Sequence, residues 1–302
     1  MKSSKIYGIL LFVMFVWGVN VSAMKYLTMD AAPISMSAIR ILLASIVVFL
    51  LLKPFGLVRR LTTKEWGYVW LGGLLNVALH HALMSSGLSL TSGANTSLII
   101  GTTPLVTAVL SSFLLRTVPN ALQWIGLVLG LSGIAIAVIF SGDGTQHLSW
   151  GDAFIFFSIT SQALSFIVIL KAKRTIDPRL LTAYMFLVGA IMLAISGVIL
   201  EPNGFATIPF NNLTFVAVLI GSGAVATALG HMLYNYAVGQ VGPTKAAIFI
   251  NLNTFFALAS AAILLGEPVG WPHYLGLLLV IAGVIFGSGI AEHWLKKSHI
   301  ES

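Results

Sequence analysis

Uninterrupted apolar stretches of about 20 residues recur from one end of the chain to the other, and each is long enough to cross the hydrocarbon core of a bilayer. That recurrence restricts the fold more than any other feature. A spanning segment must satisfy its backbone N–H and C=O groups internally, so only helices and closed barrels are available. These runs are too long for barrel strands and lack strict alternation, which predicts helices. Ten can be drawn, over residues 6–24, 34–52, 67–85, 94–115, 122–140, 152–170, 180–200, 213–236, 244–265 and 273–290. Residues 1–5 and the run behind them resemble a signal peptide, but the run is long for one and is expected to stay as the first helix. Only 8% of the 302 residues are charged, against roughly a quarter in soluble domains. No stretch is left over for a sizeable water-soluble domain.

The net charge of +7 does not point to nucleic acid, because the basic residues sit in short loops between apolar runs. With the N-terminus inside, 13 of the 16 Lys and Arg fall on one side of the membrane; the others are Lys25, Arg40 and Lys245. Both termini are therefore expected in the cytoplasm of a multi-pass protein of the cytoplasmic membrane. The chain has no cysteine, which removes disulfides, thiolate metal sites and cysteine nucleophiles.

An internal repeat appears at an offset of 150. His81 and Leu83 match His231 and Leu233, Gly126 matches Gly276, and Gly133 matches Gly283. The match runs from the third span through the fifth, and from the eighth through the tenth. The expected organisation is thus two five-helix halves, 1–146 and 147–302. Five is odd, so the second half enters the membrane upside down, a plan that holds substrate near the midplane between inverted halves.

Short motifs keep the same order along the chain. They are Trp17-Gly18-Val19-Asn20 with Lys25, Arg40 to Ala44, Gly87-Leu88, Ser92-Gly93-Ala94, Thr103-Pro104, Val241 to Ala247, and Leu265-Gly266-Glu267-Pro268. In that order, on ten spans, they resemble the EamA-type branch of the drug/metabolite transporter superfamily over essentially the whole length. Two places depart from its pattern: Arg116-Thr117 stands where an acidic residue is common, and Asn253-Thr254 stands where a proline is common opposite Pro104. The resemblance implies a ten-helix fold around a cavity lined by helices 1, 3, 4, 6, 8 and 9. It also implies a transporter, often an exporter, of amino acids or other small metabolites.

Polar side chains are costly in hydrocarbon, so those inside spans face the bundle interior or a wet cavity. The candidates for substrate contact are Trp17, Asn20, His80, Asn95, Gln162, His231, Tyr234, Asn235, Lys245 and Asn251. Helix–helix hydrogen bonding is the competing role for every Asn, Gln and His among them. Trp17 and Asn20 share a face, as do His231, Tyr234 and Asn235. His81 pairs with His231 through the repeat and suits an architectural position, whereas His80 is matched by Gly230. Gln162 is the approximate counterpart of Trp17. Asn95 and Lys245 correspond to each other near helix starts that favour anions; snorkelling to the interface is the other role open to Lys245. Arg40 and Lys25 fit gate or lipid-headgroup residues better than ligands.

No Asp or Glu lies deep in any span, so a pump for polyaromatic cations lacks its counter-charge, and any coupled proton would fall to His80, His81 or His231. A membrane-embedded enzyme would need a clustered acid/base or metal set, such as His-Glu-x-x-His or an Asp-rich pair, and neither is present. A non-transporting scaffold stays open on sequence alone, as do substrate, direction, and monomer against homodimer. No cofactor or metal is called for. The partners are a small-molecule substrate and the lipid bilayer.

Overall fold

The computed structural model describes residues 3–88, 90–91, 93–140, 149–265 and 270–288. Every element among them is helical. The α-helices, in chain order, are α1 (Ser3–Asp30), α2 (Pro33–Leu52), α3 (Thr63–Gly72), α4 (His80–Leu88), α5 (Gly93–Gly101), α6 (Thr103–Leu115), α7 (Ala121–Ile139), α8 (Trp150–Ala172), α9 (Pro178–Leu200), α10 (Leu213–Gly221), α11 (His231–Val241), α12 (Pro243–Ala247), α13 (Ile250–Leu265) and α14 (Trp271–Gly287), with short 3-10 turns at Lys53–Phe55 and Gly204–Thr207. Two π-helical segments run continuously between their neighbours: π1 (Gly73–Leu79) joins α3 to α4, and π2 (Ser222–Gly230) joins α10 to α11. Among the described residues, five helices are long and apolar enough to cross a membrane: Ser4–Asp30, Pro33–Phe55, Trp150–Ala172, Pro178–Leu200 and Leu213–Val241. Thr103–Leu115, Ala121–Ala137 and Trp271–Gly287 are shorter apolar helices.

Helix starts follow local chemistry. Thr62 with Glu65, Asn120 with Gln123, and Ser149 with Asp152 form reciprocal capping boxes that satisfy the first free N–H groups of α3, α7 and α8. Asp177 caps α9 ahead of Pro178, and Asn212 caps α10. The span expected over 94–115 is divided at Thr102. Pro104 has no N–H to give to the carbonyl of Ile100. The Thr103 hydroxyl donates to that carbonyl instead, at 2.5 Å, and Thr102 Oγ1 donates to Ile99 O at 2.7 Å. The span expected over 244–265 is divided too, at Ile248 and Phe249, without a proline.

Two helix pairs organise the packing. α7 lies along α14 through glycines that meet reciprocally. A Cβ on Gly126 would stand 2.6 Å from Gly283 O, and one on Gly283 would stand 2.8 Å from Gly126 O. Gly133 and Gly276 meet the same way, at 2.6 and 2.5 Å. Such approaches let backbones close in where lipid supplies no hydrophobic drive between helices. α2 runs antiparallel to α9, with the Ser45 hydroxyl donating to Ala183 O at 3.0 Å. At the other end of α2, the Glu201 carboxylate accepts from Ile34 N (2.9 Å), Ser35 N (2.8 Å) and Ser35 Oγ (2.8 Å), capping the helix from across the fold.

The π segments pack on this second pair in matching fashion. Gly73 of π1 rests against Met185 O and Val188 of α9; Gly223 of π2 rests against Arg40 O and Leu43 of α2. Both carbonyls would lie 3.2 Å from the added Cβ. Gly73 and Gly223 are 150 residues apart, while Arg40 and Leu43 precede Met185 and Val188 by 145. The repeat therefore extends through the first two helices of each half with a five-residue slip, which is why sequence comparison at a single offset finds only the last three.

Candidate functional site

The residues just past the two π segments carry histidines, and these build the centre of the bundle. His80 and His81 open α4; His231 opens α11. A π segment breaks the regular ladder and leaves carbonyls open to other partners. In π2 the carbonyl of Ala226 accepts the indole N–H of Trp17 at 2.9 Å. In π1 the carbonyl of Leu75 accepts from Ser161 Oγ at 2.8 Å. Each half thus offers a π-segment carbonyl to the first helix of the other half.

Trp17 leans over His231 and Tyr234, with ring centroids 4.6 and 5.1 Å away. His231 continues to His81 at 6.0 Å and to Phe186 at 5.7 Å, and His81 meets His80 at 4.8 Å. Phe166 closes the other side of Tyr234 at 5.2 Å. The outcome is a continuous cluster of rings drawn from α1, α4, α8, α9 and α11. Gly230 makes room for it, since a Cβ there would stand 2.6 Å from the indole nitrogen.

His80 is fixed at both ring nitrogens. Ser158 Oγ lies 2.8 Å from Nδ1 and donates to the backbone carbonyl of His80, also at 2.8 Å. Gln162 Nε2 lies 3.1 Å from His80 Nε2. The consistent assignment has Nδ1–H donating to serine oxygen while Nε2 accepts from the glutamine amide. Nearby, Asn76 Nδ2 donates to Ser165 Oγ at 2.7 Å. The buried polar atoms without a partner among the described residues include His81 Nε2, Tyr234 Oη and Arg40 Nε, and the Oδ1 atoms of Asn76 and Asn235.

Arg40 is 3% exposed. Its Nη1 donates to Thr227 Oγ1 in π2, and the guanidinium lies within Coulombic reach of His80, His81 and His231. Of the two roles expected for Arg40, gate or lipid headgroup, the second does not fit this burial: the side chain turns inward to the Thr227 hydroxyl. Sequence reasoning also passed over Ser158, Thr227, Phe166 and Phe186, which carry no signal of their own in so apolar a chain.

The remaining candidates stand apart from the rings. Asn20 is half-buried one turn along α1 from Trp17. Asn235 is buried and donates to Thr182 Oγ1 at 3.0 Å, a tie between α11 and α9. Asn251 packs on α7, where a Cβ on Gly130 would stand 2.5 Å from its Nδ2. Lys245 lines a cavity of about 220 Å³ with Thr244, Gln123 and Thr117 at the far end of α6. The side chains of Asn95 and Lys25 lie outside the described residues. Among the described residues, no group of three His, Asp or Glu is placed to hold a metal ion.

The family model of the EamA-like transporter family matches the chain twice, over residues 4–139 and 149–288. An uncharacterized transporter of Synechocystis sp. is 23% identical over 288 residues, covering 89% of this chain and 86% of its own. The uncharacterized transporter YyaM of Bacillus subtilis is 27% identical over 297 residues, covering 96% and 95%. A chloroplastic WAT1-related protein of Arabidopsis thaliana is 24% identical over 279 residues, covering 89% of this chain and 66% of its own. A crystal structure of 13% identity superposes with a TM-score of 0.79 over 94% of this chain and 97% of that one, a likeness of fold. The helical bundle, its apolar spans and the double match agree: this multi-pass membrane protein belongs to the EamA-like transporter family.

Proposed function

We propose that the chain carries small metabolites across the cytoplasmic membrane, acting as an exporter or exchanger by alternating access. The solutes are amino acids or related neutral, zwitterionic or anionic compounds. On this reading the chain crosses the membrane ten times, in inverted halves 1–146 and 147–302, with both termini cytoplasmic. The reciprocal contacts Gly126–Gly283 and Gly133–Gly276 support the inversion, since a two-fold axis in the membrane plane maps one pair onto the other.

The observation that carries the reading is the buried cluster of Trp17, His80, His81, Gln162, His231 and Tyr234 at the junction of the halves, where inverted-repeat transporters hold substrate. Its polar groups are imidazole, amide and hydroxyl. No carboxylate joins it among the described residues, which disfavours drug-cation efflux. The relatives' names as transporters support transport over catalysis or scaffolding.

Counterflow of labelled amino acids and carboxylates into proteoliposomes tests the reading. Wild-type protein should accumulate at least one of them, and Trp17→Ala and His80→Ala should each reduce that accumulation without reducing the reconstituted amount. Normal counterflow in both variants would remove the cluster from the transport path.

A further inference from the structure

We infer that Arg40 is the anchor for an oxyanion on the transported solute, a carboxylate held by the guanidinium fork beside the Trp17–His231 ring face; the inference rests on the transporter reading of that cluster. A charge inside a membrane protein is paired or serves a pathway, because leaving it buried and alone is strongly unfavourable. The two ion pairs among the described residues are Arg59–Glu65 and Arg179–Asp177, and neither involves Arg40. Glu201, on the same side of the fold, is engaged by the first turn of α2. Among the described residues the side-chain partner of Arg40 is a neutral hydroxyl, that of Thr227, and its Nε has none.

The architecture does not require the charge. In the other half the same packing position, against the π-segment glycine, is filled by Met185, and the residue matching Thr227 is Val77. At the matching positions the other half thus carries a thioether, packed on Gly72, and an isopropyl group, packed on Gly189, where this one carries a guanidinium and a hydroxyl. The difference falls within Coulombic reach of His80, His81 and His231, and the ring cluster these belong to holds two further unpaired polar atoms, His81 Nε2 and Tyr234 Oη, for other polar groups of a solute. A guanidinium presents paired N–H donors that match a carboxylate in two-point geometry, and it keeps its charge when buried. A lipid phosphate would offer the same chemistry, but Arg40 is enclosed by helices, which favours a diffusible solute.

Because the chain has no cysteine, Thr227→Cys introduces a single thiol one hydrogen bond from Arg40. In proteoliposomes that thiol should react with anionic methanethiosulfonate-ethylsulfonate at least about tenfold faster, relative to its cationic trimethylammonium analogue, than a free thiol does. Adding Arg40→Met should abolish the preference, and L-phenylalanine, but not its amide, should slow the reaction while Arg40 is present. The variant Arg40→Met with Thr227→Val copies the Met185 and Val77 half and should elute from size exclusion as the wild type does. A charge preference that survives Arg40→Met, a thiol that neither reagent reaches, or equal protection by the amide would overturn the assignment, as would misfolding of the Met/Val variant, which would make the charge structural. Absent counterflow with an intact charge preference would instead count against transport and leave the anion site standing.

Discussion

Gln162 and His80 face each other across the two halves with their Nε2 atoms 3.1 Å apart, in the place where the other half sets Trp17 against Gly230. Each pair joins the first helix of one half to the end of the π segment of the other, where Gly230 closes π2 and His80 follows π1. Bulk is exchanged within the pair: glycine admits the indole, and the smaller glutamine meets an imidazole. The pseudo-symmetric frame thus holds an apolar, aromatic wall on one side and a hydrogen-bonding wall on the other.

Replacing Gln162 with Leu leaves His80 Nε2 without its donor in a buried site. The loss should be about 1–3 kcal/mol, the cost of an unsatisfied buried polar group. Thermal unfolding in detergent reads it directly, and an unchanged melting temperature would mean that Ser158 alone fixes His80.

The glycines between α7 and α14 meet backbone rather than side-chain ends. Gly133→Ala would push a methyl against Gly276 O and should destabilise by about 1–3 kcal/mol, as overpacking does. Gly8→Ala meets open space and serves as the control, expected to melt with the wild type.

Glu201, just past the end of α9, caps α2 from a distant part of the sequence, with three short contacts to Ile34 and Ser35. Glu201→Ala should cost about 1–2 kcal/mol, in the range of a lost N-cap. Hydrogen exchange should report it as faster opening at Ile34 and Ser35, with α14 unchanged.

Glu65 stands in the first turn of α3, outside the apolar spans. The hydrogen bonds from Arg59, then those from Thr62, hold its carboxyl at about 2 against burial, below the usual 4.5. A depressed carboxylate stabilises the folded state above its unfolded pKa, and that contribution fades as the pH falls through the folded one. Melting temperature should therefore decline between about pH 4.5 and 2, and Glu65→Gln should flatten this part of the profile.

Hydropathy made the helical, membrane-spanning character legible, because a length of apolar chain is itself the physical requirement. The pairing of His81 with His231 was legible too, since it sits in the three helices that repeat without a gap. Arg40 was not. Its place within the second span suggests the interface, and the 3% exposure of the residue with its hydrogen bond to Thr227 shows that the side chain turns into the bundle. Asn251 carries the right chemistry at a position set by the break at Ile248 and Phe249, and that break has no proline to announce it. The π segments leave no trace in composition, because apolar periodicity does not encode which carbonyl an amide chooses.

π1 and π2 also amount to stored slack. In a π turn each amide reaches back five residues instead of four, so an added residue is accommodated without lengthening the span in proportion. Drawing either segment into α register would swing the adjoining helix by roughly one residue's angle, about 100°. Beyond π1 that helix carries His80 and His81; beyond π2 it carries His231 and Tyr234. The chain thus has a screw thread beneath each of its two histidine-bearing turns, and turning one while the other stays put would change which imidazoles meet, with no hinge loop involved.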